Sequence, residues 1–220
     1  MENILIIGGG GLAKEILDAL YCGERYRPVG IIDDRRPIGE QVLDTQVVGR
    51  CDDLPRLLDV HETRNIIVAI GDNFVRAKVA HRVRNAVPDV CFPSIYHPSA
   101  DVARSARLDE GVIISAGAVA SADCRIGPLS YLAIGAIVCH DTIVGQSSTI
   151  GPGATVGGNA SIGQFTNISL GAKVIHGITI GEHTVVGAGS TVVRDLPDRV
   201  VAYGSPARVI RERAEGESYL

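Results

Sequence analysis

IGPGATVGGNASIGQFTNISLGAKVI, residues 150–175, carries a bulky aliphatic side chain at every sixth position. The same spacing extends without an insertion from Val102 to Val192, and within this series only Ala120 is small. A mostly small residue stands two positions before each aliphatic one, and glycine often follows it. This six-residue repeat decides the architecture of the chain.

A period of six fits neither the 3.6-residue helical period nor the two-residue alternation of a long strand, so it predicts a coil of short strands and turns. The small and the large residue of each repeat stand two apart, and both are expected to face inward. The glycines are expected at corners, where they tolerate positive φ. Three repeats per coil make a triangular prism of about five coils, spaced roughly 4.8 Å apart.

The amino-acid composition and net charge limit the classes of protein to which this chain can belong. The net charge of -4 gives no electrostatic attraction to nucleic acid or to anionic membranes. An aromatic content of 4% suits the narrow interior of a coil. Five cysteines without a C-x-x-C spacing, and no secretory signal, predict a reduced, cytoplasmic protein. The longest apolar runs have strand length, which predicts no membrane span.

Strands and helices alternate before the repeat begins. The apolar run 3–7, the glycines 8–11 and a helical pattern after them predict a strand, a turn and a helix. Further strands are predicted at 29–32 and 66–70, and helices at 53–60 and 73–85. This alternation predicts a small parallel sheet with helices on its faces.

Three segments follow from these patterns. Residues 1–95 are predicted to be a Rossmann-like domain. Residues 96–200 are predicted to be the coil, and residues 201–220 a charged, helical tail.

Gly8-x-Gly10-x-x-Ala13 satisfies the dinucleotide fingerprint, and Asp33 and Asp34 follow the second predicted strand. Glycines at such a turn let the backbone approach a phosphate at a helix N-terminus. Tight packing of strand against helix is the alternative role. Because the sheet gives way to the repeat near residue 95, we expect a mononucleotide-sized site rather than an NAD site.

His140 and Asp141 follow one inward-facing valine and are expected at a corner of the coil. An imidazole beside a carboxylate can accept a proton near neutral pH. A solvated turn is the alternative, since Asp is common in turns. The histidines His140, His176 and His183 also resemble the zinc ligands of trimeric gamma-class carbonic anhydrases, although the spacing from His176 to His183 departs from that pattern.

Taken together, these motifs resemble those of one hexapeptide-repeat acetyltransferase family, whose fold is a left-handed parallel β-helix. The family comprises sialic-acid O-acetyltransferases and N-acetyltransferases of nucleotide-linked 4-amino sugars, the bacillosamine- and perosamine-type enzymes. The segments that match are residues 6–15, 33–34, 69–73 with Arg76, 95–99, 138–141 and 204–207.

The resemblance implies that residues 1–95 bind the nucleotide sugar and that residues 96–200 bind acetyl-CoA and carry the catalytic residues. It also implies a role for each matching residue. His140 would be the general base and Asp141 its partner. Substrate-binding positions would be Gly8, Gly11, Asp33, Asp34, Gly71 and Asn73. Backbone contacts to acetyl-CoA would be made at Gly158, Leu170 and Ala188, with the tail near Pro206 and Ala207 at the adenine end. No metal is implied.

Three residues depart from the family pattern: Leu12 replaces a common histidine, Ala133 replaces a frequent asparagine, and Thr149 stands where the bacillosamine-type enzyme has a second histidine. The resemblance implies a homotrimer with sites between subunits that acetylates the 4-amino group of a GDP- or UDP-linked 4-amino-4,6-dideoxyhexose for bacterial surface glycans such as lipopolysaccharide. O-acetylation of a sialic-acid-type sugar, the zinc enzyme and a non-catalytic nucleotide-sugar sensor stay open as alternatives.

Overall fold

The structure is a computed structural model that describes residues 1–218. Its N-terminal part is a sheet in the order β3-β4-β2-β1-β5, parallel except for the β3–β4 pair. The strands are β1 Glu2–Ile7, β2 Tyr26–Ile32, β3 Gln41–Val42, β4 Thr45–Gly49 and β5 Ile66–Val68. The helices are α1 Gly11–Cys22, a 3-10 turn Cys51–Asp53, α2 Leu54–Val60 and α3 Asn73–Ala86.

The repeat folds as a parallel β-helix with three faces, and its hand is the left-handed one of this fold class. Face 1 contains β6 Ile95–Tyr96, β9 Ile113–Ile114, β12 Tyr131–Leu132, β15 Thr149–Ile150, β18 Asn167–Ile168 and β21 Val185–Val186. Face 2 contains β7 Asp101–Val102, β10 Val119–Ala120, β13 Ile137–Val138, β16 Thr155–Val156, β19 Lys173–Val174 and β22 Thr191–Val192. Face 3 contains β8 Arg107–Leu108, β11 Arg125–Ile126, β14 Ile143–Val144, β17 Ser161–Ile162 and β20 Thr179–Ile180.

The inward-facing residues of the repeat form one continuous core, as the period predicted. Val138, Val156 and Ile168 are fully buried there, and the small residues Ala136 and Ala154 are buried beside them. Each strand pairs with the strand one coil later, so equivalent residues stand eighteen positions apart. The predicted fold class is therefore confirmed.

The predicted reason for the glycines that follow each aliphatic residue was wrong. Positive φ values occur at the corners instead, for example at Gly153 and at Asp141. A Cβ on Gly145 would lie 2.6 Å from the backbone nitrogen of Gln164, and one on Gly157 equally close to that of His176. These glycines are required because the next coil passes directly against them.

The tail is not helical. Strand β23 Val200–Gly204 continues face 1 in parallel, and β24 Ala207–Glu212 returns antiparallel beside it. The tail segment 213–217 then turns back over the last coils, where the Arg213 guanidinium donates to the His183 carbonyl at 2.7 Å. Tyr219 and Leu220, the end of the predicted tail, lie outside the described residues.

Candidate active site

The first cavity, here called the glycine pocket, lies at the carboxyl ends of β1, β2 and β5, where parallel sheets commonly bind ligands. It has a volume of about 530 Å³. Among the predicted substrate residues, Gly8, Gly11, Asp33, Asp34 and Gly71 line it. Because α1 begins at Gly11, its free N–H groups face the cavity and suit a phosphate.

Asp33 organises the loop over this pocket. Its Oδ2 accepts from the Gly9 N–H at 2.7 Å, and its Oδ1 accepts from the N–H groups of Arg35 and Arg36 at 2.8 and 3.1 Å. Burial acts to raise the pKa of this carboxyl, but the backbone donors outweigh it and the pKa is lowered. Asp33 therefore stays charged and holds the glycine loop closed.

Asp34 contacts a cysteine that was not predicted to belong to the site. Its Oδ1 accepts from the Cys51 N–H at 2.8 Å. Burial and the neighbouring Asp34 carboxylate raise the pKa of the Cys51 thiol to about 11. Cys51 is thus a neutral part of the pocket wall at physiological pH.

Asn73 does not line the glycine pocket. It is 1% exposed at the start of α3, and neither polar atom of its amide has a hydrogen-bond partner in the part of the chain that the structure describes. The cap of α3 is Asp72 instead, whose Oδ1 accepts from the Val75 N–H at 2.9 Å.

The second cavity, here called the face pocket, lies on face 1 of the β-helix and has a volume of about 520 Å³. Gly71 lines it as well as the glycine pocket, so the two cavities adjoin at this residue. The predicted acetyl-CoA positions Leu170 and Ala188 stand at its other side. The structure therefore brings one predicted substrate residue and two predicted cofactor residues to the same cavity.

Three polar side chains on successive coils project from face 1 into the face pocket: Tyr131, Thr149 and Asn167. The Tyr131 hydroxyl donates to Glu15 Oε2 at 2.8 Å, and Ser115 donates to the same oxygen at 2.6 Å. Burial first, and then the Glu15 carboxylate, raise the pKa of Tyr131 far above its usual value.

Arg76 joins the two parts of the chain. Its side chain is completely buried. Nε donates to the Leu129 carbonyl at 2.8 Å, Nη1 donates to the carbonyls of Ile70 and Gly71 at 2.8 and 3.0 Å, and Nη2 donates to Thr149 Oγ1 at 3.2 Å. One guanidinium thus ties the loop shared by both pockets to the β-helix.

His140 and Asp141 occupy the corner between faces 2 and 3, as predicted. His140 Nδ1 lies 2.8 Å from Asp141 Oδ2, and both side chains are largely exposed. With Nδ1 donating its proton to the carboxylate, Nε2 carries the lone pair that can accept a proton. The geometry is that of a general base with an orienting acid.

Gly158 lies with His140 and not with the other two predicted acetyl-CoA residues. A Cβ at Gly158 would stand 2.7 Å from Cε1 and Nε2 of the imidazole. Leu170 and Ala188 follow the face 1 strands β18 and β21, at the corner between faces 1 and 2. The predicted base and the face pocket therefore lie on two different edges of the prism.

Pro206 and Ala207 lie at the turn between β23 and β24. The peptide bond between Ser205 and Pro206 is cis, and Ala207 is buried. Tyr203, the last but one residue of β23, lines the face pocket beside Gly187. The turn thus stands beyond the end of the face pocket, next to the last coil.

Metal-ligating side chains meet at one place in the described residues: Asp18, Cys22 and His97. The Ser99 N–H donates to His97 Nδ1 at 3.0 Å, which places the imidazole proton on Nε2, 3.4 Å from Asp18 Oδ2. Nε2 thus faces the Asp18 carboxylate. The hypothesised zinc set is not assembled within the chain, since His183 is buried and stacks on Phe165 with ring centroids 4.8 Å apart.

Known proteins resemble this chain in sequence and in fold. Residues 3–83 match the PglD N-terminal domain family. The fold superimposes with a TM-score of 0.89 on GDP-perosamine N-acetyltransferase from Caulobacter crescentus, in a histidine-to-alanine variant bound to CoA and GDP-perosamine. The two chains are 39% identical, over 96% of this chain and 98% of that one. This chain belongs to that acetyltransferase family.

Two further relatives are more distant or match in part. The acetyltransferase domain of PglB from Neisseria gonorrhoeae FA1090, bound to acetyl coenzyme A, is 29% identical with a TM-score of 0.85, over 95% of this chain and 99% of that chain. The UDP-N-acetylbacillosamine N-acetyltransferase of Bacillus subtilis (strain 168) is 37% identical over 119 residues. That match spans 53% of this chain and only about half, 52%, of the curated relative.

The helices of this chain are short, as are the apolar runs in its sequence. Among residues 1–218, none has the length and apolar character needed to cross a bilayer.

Proposed function

We propose that this chain is an acetyl-CoA-dependent N-acetyltransferase that acetylates the 4-amino group of a nucleotide-linked 4-amino-4,6-dideoxyhexose. The proposal rests on one observation: the glycine pocket and the face pocket adjoin at Gly71. A nucleotide diphosphate in the first cavity would extend its sugar toward the second. The relatives bound to GDP-perosamine and to acetyl coenzyme A support these two ligands.

The reaction needs one proton acceptor and no covalent intermediate. The neutral sugar amine attacks the thioester carbonyl, the carbonyl π electrons move to oxygen, and collapse of the tetrahedral species expels CoA thiolate. His140 Nε2 accepts the amine proton during attack or collapse, and Asp141 stabilises the imidazolium that forms. A backbone N–H along the coil stabilises the oxyanion. Two solved relatives in which a histidine was replaced by alanine or asparagine still hold both ligands, which supports a role for a histidine in the chemical step.

We propose further that the enzyme is a homotrimer. His140 stands on one edge of the prism and the face pocket on another, so a site that uses both needs a second copy of the chain. Exposed aliphatic side chains near these edges, among them Ile134, Ile143 and Leu170, suit burial between copies. Acetyl-CoA would lie along the groove between copies, with its adenine end near Pro206 and Ala207.

The substrate is proposed to carry GDP or UDP, and GDP is favoured because the similarity to the GDP-perosamine enzyme extends over nearly the whole chain. The product would enter bacterial surface glycans such as lipopolysaccharide. A cytoplasmic site of action suits this role, because nucleotide sugars and acetyl-CoA are made there. The free thiols of Cys22 and Cys91, both exposed, fit a reducing compartment.

The test is release of free CoA thiol with acetyl-CoA and a panel of UDP-, GDP- and dTDP-linked 4-amino sugars, with a sialic acid as the hydroxyl acceptor. We expect turnover with a 4-amino sugar nucleotide and a mass gain of one acetyl group on nitrogen. His140→Ala should lower kcat by about 10²-fold or more, while both substrates still bind. Turnover of the sialic acid alone, or full activity of the variant, would overturn the proposal.

A further inference from the structure

The polarity of the hydrogen bond between Arg76 and Thr149 determines what Thr149 can offer in the face pocket. A guanidinium is only a donor, so Thr149 Oγ1 accepts from Arg76 Nη2 at 3.2 Å. The hydroxyl proton must therefore point elsewhere. No acceptor among residues 1–218 receives it, although Thr149 is nearly buried and lines the face pocket. The hydrogen is left facing the cavity.

The neighbouring side chains are already committed in a different way. One coil earlier, the Tyr131 hydroxyl donates its proton to Glu15, which leaves only lone pairs for a ligand. One coil later, the Asn167 amide nitrogen donates to Ser169 Oγ at 2.7 Å. Thr149 is thus a hydroxyl donor between a hydroxyl that can only accept and an amide that keeps one N–H and its oxygen.

We propose that Thr149 contacts the bound substrates as a hydrogen-bond donor to oxygen, and that Arg76 is the positioning residue that fixes this polarity. This inference rests on the proposed function. The oxygen that receives the proton belongs either to the acetyl thioester, where negative charge grows during attack, or to the sugar nucleotide. Both are oxygen atoms that accept a hydrogen bond, and kinetic measurements distinguish between them.

Arg76 suits this role because it is held from three directions. Its contacts to Leu129, Ile70 and Gly71 fix the plane of the guanidinium. With the plane fixed, one N–H of Nη2 is directed at Thr149 Oγ1. A lysine is a single point donor and cannot hold the same fork. The loop at Gly71 and the hydroxyl at Thr149 are therefore kept in a fixed relation across the two pockets.

The direct test compares Thr149→Val with Thr149→Ser, because valine keeps the shape and serine keeps the hydroxyl. We expect kcat/KM of Thr149→Val to fall on the order of tenfold, and Thr149→Ser to retain most activity. A loss confined to kcat assigns the thioester oxygen, whereas a rise in KM for the sugar nucleotide assigns the sugar side. Thr179→Val, at the equivalent position on exposed face 3, is the matched control and should keep full activity.

The role of Arg76 is tested by a double-mutant cycle. Arg76→Lys should lower the activity of the wild type by a larger factor than it lowers that of Thr149→Val, because the loop contacts to Ile70 and Gly71 change in both backgrounds but the Thr149 contact only in the first. Thermal unfolding of each variant separates loss of the fold from loss of positioning. Equal effects of Arg76→Lys in both backgrounds would overturn its action through Thr149.

Two results would overturn the contact itself: Thr149→Val as active as the wild type, or Thr149→Ser as impaired as Thr149→Val. Both require an active wild type. If the wild type acetylates no amino sugar in the panel, the proposed function fails first, and the two failures are distinguished in the same assay.

Discussion

At the scale of single residues, the position of the His140 side chain depends on a glycine in the next coil. The imidazole rests on Gly158 of the next coil, where a Cβ would come within 2.7 Å of two ring atoms. No positive φ is required at Gly158, so the backbone itself accepts alanine. The missing Cβ leaves room for the ring that binds Asp141.

We therefore expect Gly158→Ala to rotate His140 away from Asp141 and to lower kcat on the order of 10²-fold, with little change in thermal stability. Steady-state kinetics and a melting curve measure the two effects. The double variant with His140→Ala should be no slower than His140→Ala alone. Additive losses would show that Gly158 acts on something other than His140.

The sequence alone could predict a contact between two side chains where the two residues are neighbours in the chain. The pair His140–Asp141 is local in sequence, and the structure joins it by a 2.8 Å contact. The contacts Tyr131–Glu15 and Arg76–Thr149 join residues 116 and 73 positions apart. No spacing rule connects such residues, because the docking of the sheet domain against face 1 brings them together.

At the scale of elements, the repeat could be predicted because every coil solves the same packing problem. The tail could not be predicted in this way, because its last strand does not continue the repeat but pairs antiparallel with β23. The segment 207–212 has charged and aliphatic residues compatible with a helix, yet it pairs with β23 as an antiparallel strand. Backbone hydrogen bonds to the end of face 1 outweigh a weak local propensity for helix.

The tail segment 213–217 closes over an aromatic cluster. Gly216 lies against the Phe74 ring at the start of α3, where a Cβ would meet ring carbon at 2.7 Å. Phe74 in turn contacts Phe165, with ring centroids 5.8 Å apart, and His183 at 6.4 Å. The tail thus holds the start of α3 against the β-helix.

His183 makes this junction sensitive to acid. Burial lowers its pKa, Glu215 and Glu182 oppose the shift, and Arg199 and Arg213 add to it. Below the unfolded pKa of about 6.5, the unfolded chain binds a proton that the folded one refuses, so stability is lost as the pH falls. Above that pH the contribution of the neutral ring is fully present.

We expect the free energy of unfolding to decrease as the pH is lowered from 7 through 6, and His183→Phe to flatten that part of the curve. Urea titrations at several pH values measure both chains. His81→Phe, at an exposed position on α3, is the matched control and should leave the slope unchanged. An equal slope in wild type and His183→Phe would contradict the assignment.

At the scale of the whole molecule, the proposed trimer makes a prediction about mixtures. If each site takes His140 from one copy and the face pocket from its neighbour, two inactive variants can complement each other. We expect His140→Ala and Ala188→Arg, the second of which fills the face pocket, each to have very little activity alone. Refolded together at equal ratio, they should regain activity in about a quarter of the sites, because the cyclic interface pairs unlike edges.

Thiol release before and after co-refolding measures the recovery, and a trimer mass in solution confirms the assembly. Mixing without refolding is the control and should give no recovery while subunits do not exchange. No recovery in mixed trimers would show that each chain supplies its whole site.

The reversal of β24 also bears on how the molecule ends. A parallel β-helix exposes unpaired strand edges on its last coil, and another coil of the same direction could add there without limit. On face 1, β24 runs against the direction of every strand before it and carries Arg208 and Arg211 on its exposed side. A further coil would meet a charged strand that runs in the opposite direction. The short hairpin of β23 and β24 thereby opposes end-to-end growth of the β-helix on face 1.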